Sequence, residues 1–418
     1  MKSYSFLLDL AVILISTKLL GLITKKFHMP QVVGALLAGL IFGPALLDFI
    51  KETDFITKTS EIGVIVLMFT AGLETDIAEL KKTGKASFII ALIGVLVPMA
   101  GGFGTAYFFN TKMLPDTTAS LMLQNIFIGV ILTATSVSIS VETLKELGKL
   151  NTKAGSAILG AAIIYDIIGI VALTVITSAA DASVNLWFVL LKIAAFFIFA
   201  AVVGVIFYHL FGRFVDRYTR DMRRFIIIAF FFCLLLSYCA EQYFGVADIT
   251  GAYIAGLIIS KNKRVAYISS RFETLSYMFL SPMFFASIGL KVVLPKMSGS
   301  IILFAAILLV VAILTKIVGC GLGAKMCRFN NAEAMQVGCG MVSRGEVALI
   351  VANMGASTGL MSSIYFGPLI VTVIVTTIIA PILLKISFRS DKGGEQTDAE
   401  RGLTADYEKV EEYVSKPE

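Results

Sequence analysis

Charge is what this chain has least of: Asp, Glu, Lys and Arg make up 15% of its 418 residues, against about a quarter in an ordinary soluble domain. Histidine is confined to His28 and His209, and tryptophan to a single residue. With so few histidines, no nucleophile paired with a base and no metal-ligand spacing, an enzyme is the weakest reading. The five cysteines (Cys233, Cys239, Cys320, Cys327 and Cys339) follow no framework pattern, which argues against a disulfide scaffold and for small apolar packing residues.

What the chain does have is apolar length. It is 57% hydrophobic with a mean hydropathy of +0.87, and a helix that crosses a bilayer needs roughly 20 mostly apolar residues. Runs of that kind fall near 5–25, 31–47, 57–74, 86–109, 121–142, 153–179, 185–210, 223–241, 245–260, 266–289, 299–324, 332–358 and 363–386. They predict an all-α membrane protein of about 13 spans. Asp9 and Lys18 interrupt the first run and no small-residue cleavage site follows it, so it reads as a retained span rather than a signal peptide.

Alternate connections and their flanks carry 19 Lys and Arg residues, and the opposite set carries 6. Basic loops stay in the cytoplasm, which predicts a multi-pass protein of the inner (plasma) membrane with the N-terminus outside and the C-terminus inside. The net charge of +6 then follows from topology and calls for no nucleic-acid partner. Residues 1–386 form the membrane domain, and the polar stretch 387–418 reads as a short, disordered cytoplasmic tail.

An internal repeat is visible. GALLAGL at 34–40 matches GAYIAGL at 251–257, an offset of 217 residues, and at the same offset Gly72-Leu73 meets Gly289-Leu290. Seven spans, an odd number, separate the equivalents, so spans 1–6 and 8–13 form inverted repeats with span 7 as linker. Span 5 thereby becomes the counterpart of span 12. The first contains a cluster of hydroxyls (Thr133, Thr135, Ser136, Ser138), and the second is interrupted by Ser343-Arg344-Gly345-Glu346. Both should be discontinuous helices, tolerated in a bilayer only where protein or a wet cavity satisfies the freed backbone.

Asp166 lies in the middle of span 6 among Ile164, Ile167 and Ile168. Intramembrane acids are expensive and usually mark ion or proton pathways. Such a carboxylate can hold a proton or a desolvated cation, hardly both, which is the simplest device for exchanging one for the other. Thr133, Ser136 and Ser138 add hydroxyl oxygens suited to a hard cation. Lys316, deep in span 11, could balance a helix end, pair with an acid or titrate. Arg344 and Glu346 read as compensation for the break in span 12.

At these residues the sequence resembles the cation:proton antiporter-2 superfamily, the NapA-type and Kef-type exchangers. The resemblance covers nearly all of residues 5–386 and rests on PQVVGALLAGLIFGP (30–44), TATSVSISVETLKELG (133–148), the acidic span 6 and GMVSRGEVALI (340–350). It implies an NhaA/NapA-like fold of 13 helices with two crossed discontinuous helices, a homodimer, elevator-type alternating access, no cofactor, and monovalent cation/proton antiport serving pH homeostasis. By similarity Asp166 is the shared cation and proton site, and Lys316 is the core lysine. One departure stands out. NapA-type exchangers that move net charge have two adjacent aspartates and Kef-type proteins have Gln-Asp, whereas this chain has Tyr165-Asp166. A phenol is neutral near pH 7, so Lys316 lacks its usual acid and one-for-one, electroneutral exchange is expected. Na+ is the leading cation, K+ the alternative, and a sodium-coupled organic-solute symporter the less favoured reading. Only about 30 residues follow the last span, so the nucleotide-binding regulatory domain of the Kef type is not expected.

Overall fold

The computed structural model describes residues 4–27, 29–111, 116–180, 186–217, 223–292 and 297–389; the 390–418 part of the tail and His28 lie outside them. Among the described residues the chain is helical throughout: α1 (Ser5–Lys26), α2 (Gln31–Phe42), α3 (Asp54–Glu74), α4 (Ile77–Phe109), α5 (Leu121–Ile131), α6 (Val137–Glu146), α7 (Lys153–Ala180), α8 (Leu186–Arg217), α9 (Arg223–Cys239), α10 (Asp248–Ile259), α11 (Val265–Leu275), α12 (Ser281–Leu290), α13 (Gly299–Met326), α14 (Asn331–Gly340), α15 (Glu346–Ser357) and α16 (Phe366–Arg389). Eight of these helical stretches are long and apolar enough to cross a membrane. All five cysteines are free.

Every predicted apolar run contains a helix, but the edges move where charge begins. α4 starts nine residues before its run because Glu79, Lys81, Lys82 and Lys85 continue the helix in polar surroundings; hydropathy sees only the apolar part. Side-chain caps fix several starts. Thr53 Oγ1 accepts the Ile56 N–H at 3.3 Å, Asp76 Oδ1 the Ala78 N–H at 2.7 Å, and Asn330 forms a capping box with Glu333, each satisfying an otherwise orphaned donor. α11 passes into α12 through a widened π turn, Ser276–Leu280. Pro282 follows at the start of α12; it has no N–H to give to the preceding turn, and the widened turn absorbs the defect.

The helices pack as two groups. One contains α1, α2, α3, α9, α10 and α12; the other contains α4, α5, α7, α13, α14, α15 and α16, with α8 packing on α7 and on α10, and α6 packing on α7 and α16 of the second group and on α3 and α2 of the first. The repeat seen in the sequence returns as contact symmetry. A Cβ on Gly39 would collide with the Ala286 carbonyl and one on Gly256 with the Phe69 carbonyl; a Cβ on Gly72 would meet the backbone at Tyr253, and one on Gly289 the backbone at Leu40. A shift of 217 residues turns Gly39–Ala286 into Gly256–Phe69, and Gly72–Tyr253 into Gly289–Leu36, whose carbonyl would also meet a Cβ on Gly289, so α2 against α12 is the image of α10 against α3. These glycines let two backbones touch. Gly256→Ala should force α3 and α10 apart at a cost of about 1–3 kcal/mol, read as a lowered Tm in detergent, with Gly84→Ala, whose Cβ meets open space, as the neutral control.

The loops at the far ends of α4 and α15 are tied together. Asp116 Oδ2 accepts from the Ser363 N–H (2.9 Å), the Ser363 hydroxyl (2.8 Å) and the Ser362 hydroxyl (3.0 Å), and the Thr118 N–H reaches the Gly359 carbonyl. The Ser363 N–H is the main cause holding the Asp116 carboxyl below its ordinary value of 3.8. A depressed carboxyl contributes stability above its unfolded pKa and loses it as pH falls through the folded one. The Tm gap between wild type and Asp116→Asn should therefore be present near neutrality and close as the pH drops below 3.8; because the group is mostly exposed, the gap is small.

Candidate functional site: a carboxylate at two broken helices

Both predicted breaks are present. α5 stops at Ile131 and α6 begins at Val137; α14 stops at Gly340 and α15 begins at Glu346. Hydroxyls interrupt the first by bonding locally: Thr133 Oγ1 donates to the Val130 carbonyl at 2.7 Å, in competition with helix continuation. In the second, Gly345 is fully extended (φ −124°, ψ −158°).

The breaks meet and satisfy one another. The Ser136 N–H donates to the Ser343 carbonyl (2.9 Å) and the Ser343 hydroxyl to the Ser136 carbonyl (2.9 Å). The Ser140 hydroxyl reaches the Gly340 carbonyl at 2.5 Å and lies 2.9 Å from Ser343 Oγ. The negative end of α14 is thus held against the positive start of α6.

The negative end of α5 takes two cations instead. Lys316 donates to the Thr133 carbonyl (2.7 Å) and to Thr135 Oγ1 (2.6 Å), and its ammonium sits 3.8 Å from the centroid of the Tyr165 ring. Arg344 donates to the carbonyls of Leu132 (2.9 Å), Ala312 (3.2 Å) and Val342 (3.3 Å), while its own carbonyl accepts from the Thr377 hydroxyl. Both side chains are fully buried. The Tyr165 hydroxyl lies 3.4 Å from Cys320 Sγ, in space that a side chain on Gly94 would fill. In place of an acid, the ring face of Tyr165 meets the lysine, a cation–π contact strengthened by desolvation.

Asp166 enters from α7. Its Oδ2 is buried without a hydrogen-bond partner among the described residues. The carboxylate lines a cavity of about 20 Å³ together with Thr135, Ser136, Val137 and Ser138 of the first break and Gly345 and Val347 of the second. Val64, Ile249, Phe284 and Ile288 from the other helix group form the facing wall. One water-sized guest needs about 10–15 Å³ measured this way, so the space suits a single water or small ion. The N-terminal ends of α6 and α15 both border it.

Of the residues singled out from the sequence, Asp166, Ser136 and Ser138 share this cavity. Thr133 does not line it: its hydroxyl serves Val130 and its carbonyl serves Lys316. The threonine that lines the cavity is Thr135, which the sequence placed in the polar cluster but not at the site. In an unwound segment no periodicity says where a side chain points, so only the folded backbone separates the two threonines. Tyr165, Lys316 and Arg344 stand behind the cavity wall, and the side chain of Glu346 lies outside the described part. His209 is exposed on α8.

A buried acid and clustered hydroxyls at two interlocked helix breaks, inside an all-helical apolar bundle, define a multi-pass membrane transport protein. The chain belongs to the sodium/hydrogen exchanger family, whose transmembrane model matches residues 11–389. It is 37% identical over 386 residues to a Na(+)/H(+)-K(+) antiporter, GerN, of Bacillus cereus, covering 92% of this chain and 97% of that protein. It is 38% identical over 381 residues to a Na(+)/H(+) antiporter of Enterococcus hirae, covering 90% and 96%. The fold is similar to that of the sodium proton antiporter MjNhaP1 of Methanocaldococcus jannaschii, with a TM-score of 0.67 at 19% identity, covering 92% of this chain and 97% of the other.

Proposed function

We propose that this protein exchanges a monovalent cation, Na+ first and K+ as the alternative, for a proton, with Asp166 as the site that both occupy in turn. The observation that carries the reading is the cavity: a buried carboxylate with one unpartnered oxygen, in a space that Thr135, Ser136 and Ser138 also line. The Asp166 carboxylate and the hydroxyls of Thr135, Ser136 and Ser138 supply hard oxygen ligands for a small cation, and the carboxylate can take a proton when the cation leaves. Lys316 and Arg344 hold the α5 end and keep the break in shape. The names of the relatives support this chemistry, and the K+ in the name of the Bacillus cereus relative keeps potassium as the alternative. Among the described residues no basic side chain lines the cavity to receive an organic anion, which disfavours a sodium-coupled organic-solute symporter.

Reading α5 with α6, α11 with α12, and α14 with α15 as single crossings gives 13 spans in two inverted halves. The basic face then lies in the cytoplasm, the N-terminus lies outside, and exchange proceeds by elevator-type movement of the α4–α7 and α13–α16 group against the other, in a homodimer of the inner membrane. With Lys316 held by Thr133, Thr135 and the Tyr165 ring, only Asp166 changes its proton count, so one proton leaves per cation and the cycle is electroneutral.

The test is dissipation of a pH gradient in reconstituted vesicles on adding Na+, K+ or Li+, with the membrane potential free and clamped. Cation-dependent dissipation, indifferent to the potential, is expected. Failure of every cation to dissipate the gradient overturns antiport, and a rate that follows the potential overturns electroneutrality.

A further inference from the structure

A second polar cluster joins the two helix groups two turns away from the cavity, at the opposite end of α6. There the Lys145 ammonium pairs with Glu74 Oε1 of α3 at 3.0 Å and donates to Thr70 Oγ1 at 3.2 Å. Glu74 Oε1 also accepts from the Ser269 hydroxyl at 3.3 Å. One residue on, both carboxylate oxygens of Glu146 accept the first N–H of α2, at Gln31, at 2.9 and 2.8 Å. Asn151, just past α6, bonds the Glu74 carbonyl and the Asp76 N–H. Around Lys145 stand Glu142 and Glu273 as further acids, and around Glu146 the bases Lys25 and Lys385. The Lys145 and Glu74 side chains are only 14% and 28% exposed, so the pair is shielded from the screening that makes surface pairs weak.

The placement matters because α6 is one short rigid helix. Ser136 and Ser138 at its start line the Asp166 cavity, and Lys145 and Glu146 at its end hold α3 and α2. The two ends are about 10 Å apart at 1.5 Å per residue. All the residues of the cluster lie at the basic face, whereas the α10 and α12 residues in the cavity wall, Ile249 and Ile288, come from the helix ends nearer the opposite face. Opening the cavity toward the basic face would require the far end of α6 to part from α2 and α3, which it contacts through Glu146 and Lys145.

We propose that Lys145–Glu74, together with Glu146 on the first turn of α2, is a latch that keeps the cation site closed toward the basic face and must break for the site to be exposed there. The proposal rests on the alternating-access reading above. A latch present in one state and absent in the other biases their populations by its full interaction energy.

The experiment places a cysteine at Val141, buried one turn before Lys145 on α6, in a chain whose five native cysteines are replaced. Labelling by a membrane-impermeant maleimide is followed from the basic face in vesicles. Glu74→Gln, Lys145→Gln and Glu146→Gln should each label about tenfold faster, the shift expected when roughly 1.4 kcal/mol of bias is removed. The charge-swapped Glu74→Lys/Lys145→Glu chain should return to within about twofold of the parent, which a chain labelled through misfolding would not do. Unchanged labelling in the three single variants, or a swap that labels as fast as the singles, overturns the latch. Asp166→Asn in the same vesicles separates the two readings. If that variant still exchanges cations while the latch variants label fast, the transport assignment of Asp166 falls and the latch stands. If exchange needs Asp166 and labelling does not move, the latch alone falls.

Discussion

Asp166→Asn should abolish cation-driven dissipation of a pH gradient, to the level of protein-free vesicles, while the chain still inserts and purifies as the wild type does. The amide is close in shape to the carboxyl but carries neither a releasable proton nor a charge with which to hold a cation. Folding should survive, because Oδ2 has no hydrogen-bond partner to lose among the described residues and neutralising a buried, unpaired carboxylate removes a desolvation cost. A rise in Tm alongside the loss of exchange is the combined signature. Asp166→Glu keeps the charge but adds a methylene to a cavity of about 20 Å³, so exchange should persist with weaker cation affinity. In the wild type, competition for one carboxylate also predicts that the cation concentration for half-maximal exchange rises about tenfold for each unit the pH falls, once the carboxylate is mostly protonated. Full exchange by Asp166→Asn, or a cation affinity independent of pH through the acid range, would remove Asp166 from the centre of the mechanism.

Arg344→Met should have the largest effect on stability. The guanidinium is fully buried and satisfies carbonyls at the end of α5 and on α13. Replacing it strands those acceptors in a place without room for water, at about 1–3 kcal/mol for each buried unsatisfied group. The aliphatic volume is roughly retained, so the loss reports on hydrogen bonds and on the helix end rather than on a cavity. The check is thermal unfolding in detergent, where a fall of several degrees is expected and an unchanged Tm refutes the capping role. Lys316→Met should behave likewise, since its ammonium serves the Thr133 carbonyl and Thr135, and it should also lower exchange by freeing the Thr135 side chain that lines the cavity. Arg344→Lys, with one point charge for a planar fork, should recover only part of the loss.

The shared geometry of these two residues explains why the fold keeps so many charges in an apolar bundle. Each helix break exposes a negative and a positive end. The α14 end is met by the start of α6 and the α5 end by Lys316 and Arg344. Removing Lys316 or Arg344 leaves the negative end of α5 uncompensated in the buried core. The candidate site at Asp166 adjoins these interlocked breaks.

Much of this was legible in one dimension, and for definite reasons. Apolar runs of bilayer length are dictated by the cost of unsatisfied backbone in lipid, so composition alone located the helices. The repeat at 217 residues was readable because close backbone approach admits only glycine at Gly39, Gly72, Gly256 and Gly289. Asp166, Lys316 and Arg344 stood out because charge in an apolar run needs a reason. What the sequence by itself determined was therefore a membrane transporter with two broken helices and a lone acid. Only the tertiary structure decided which groups face that acid. It chose Thr135 over Thr133, gave Lys316 the ring of Tyr165 in place of an acid, and set Lys145 and Glu146 against the other helix group. Those choices depend on side-chain directions in unwound backbone and on contacts across more than a hundred residues of chain, as between Glu146 and Gln31. No local periodicity encodes either.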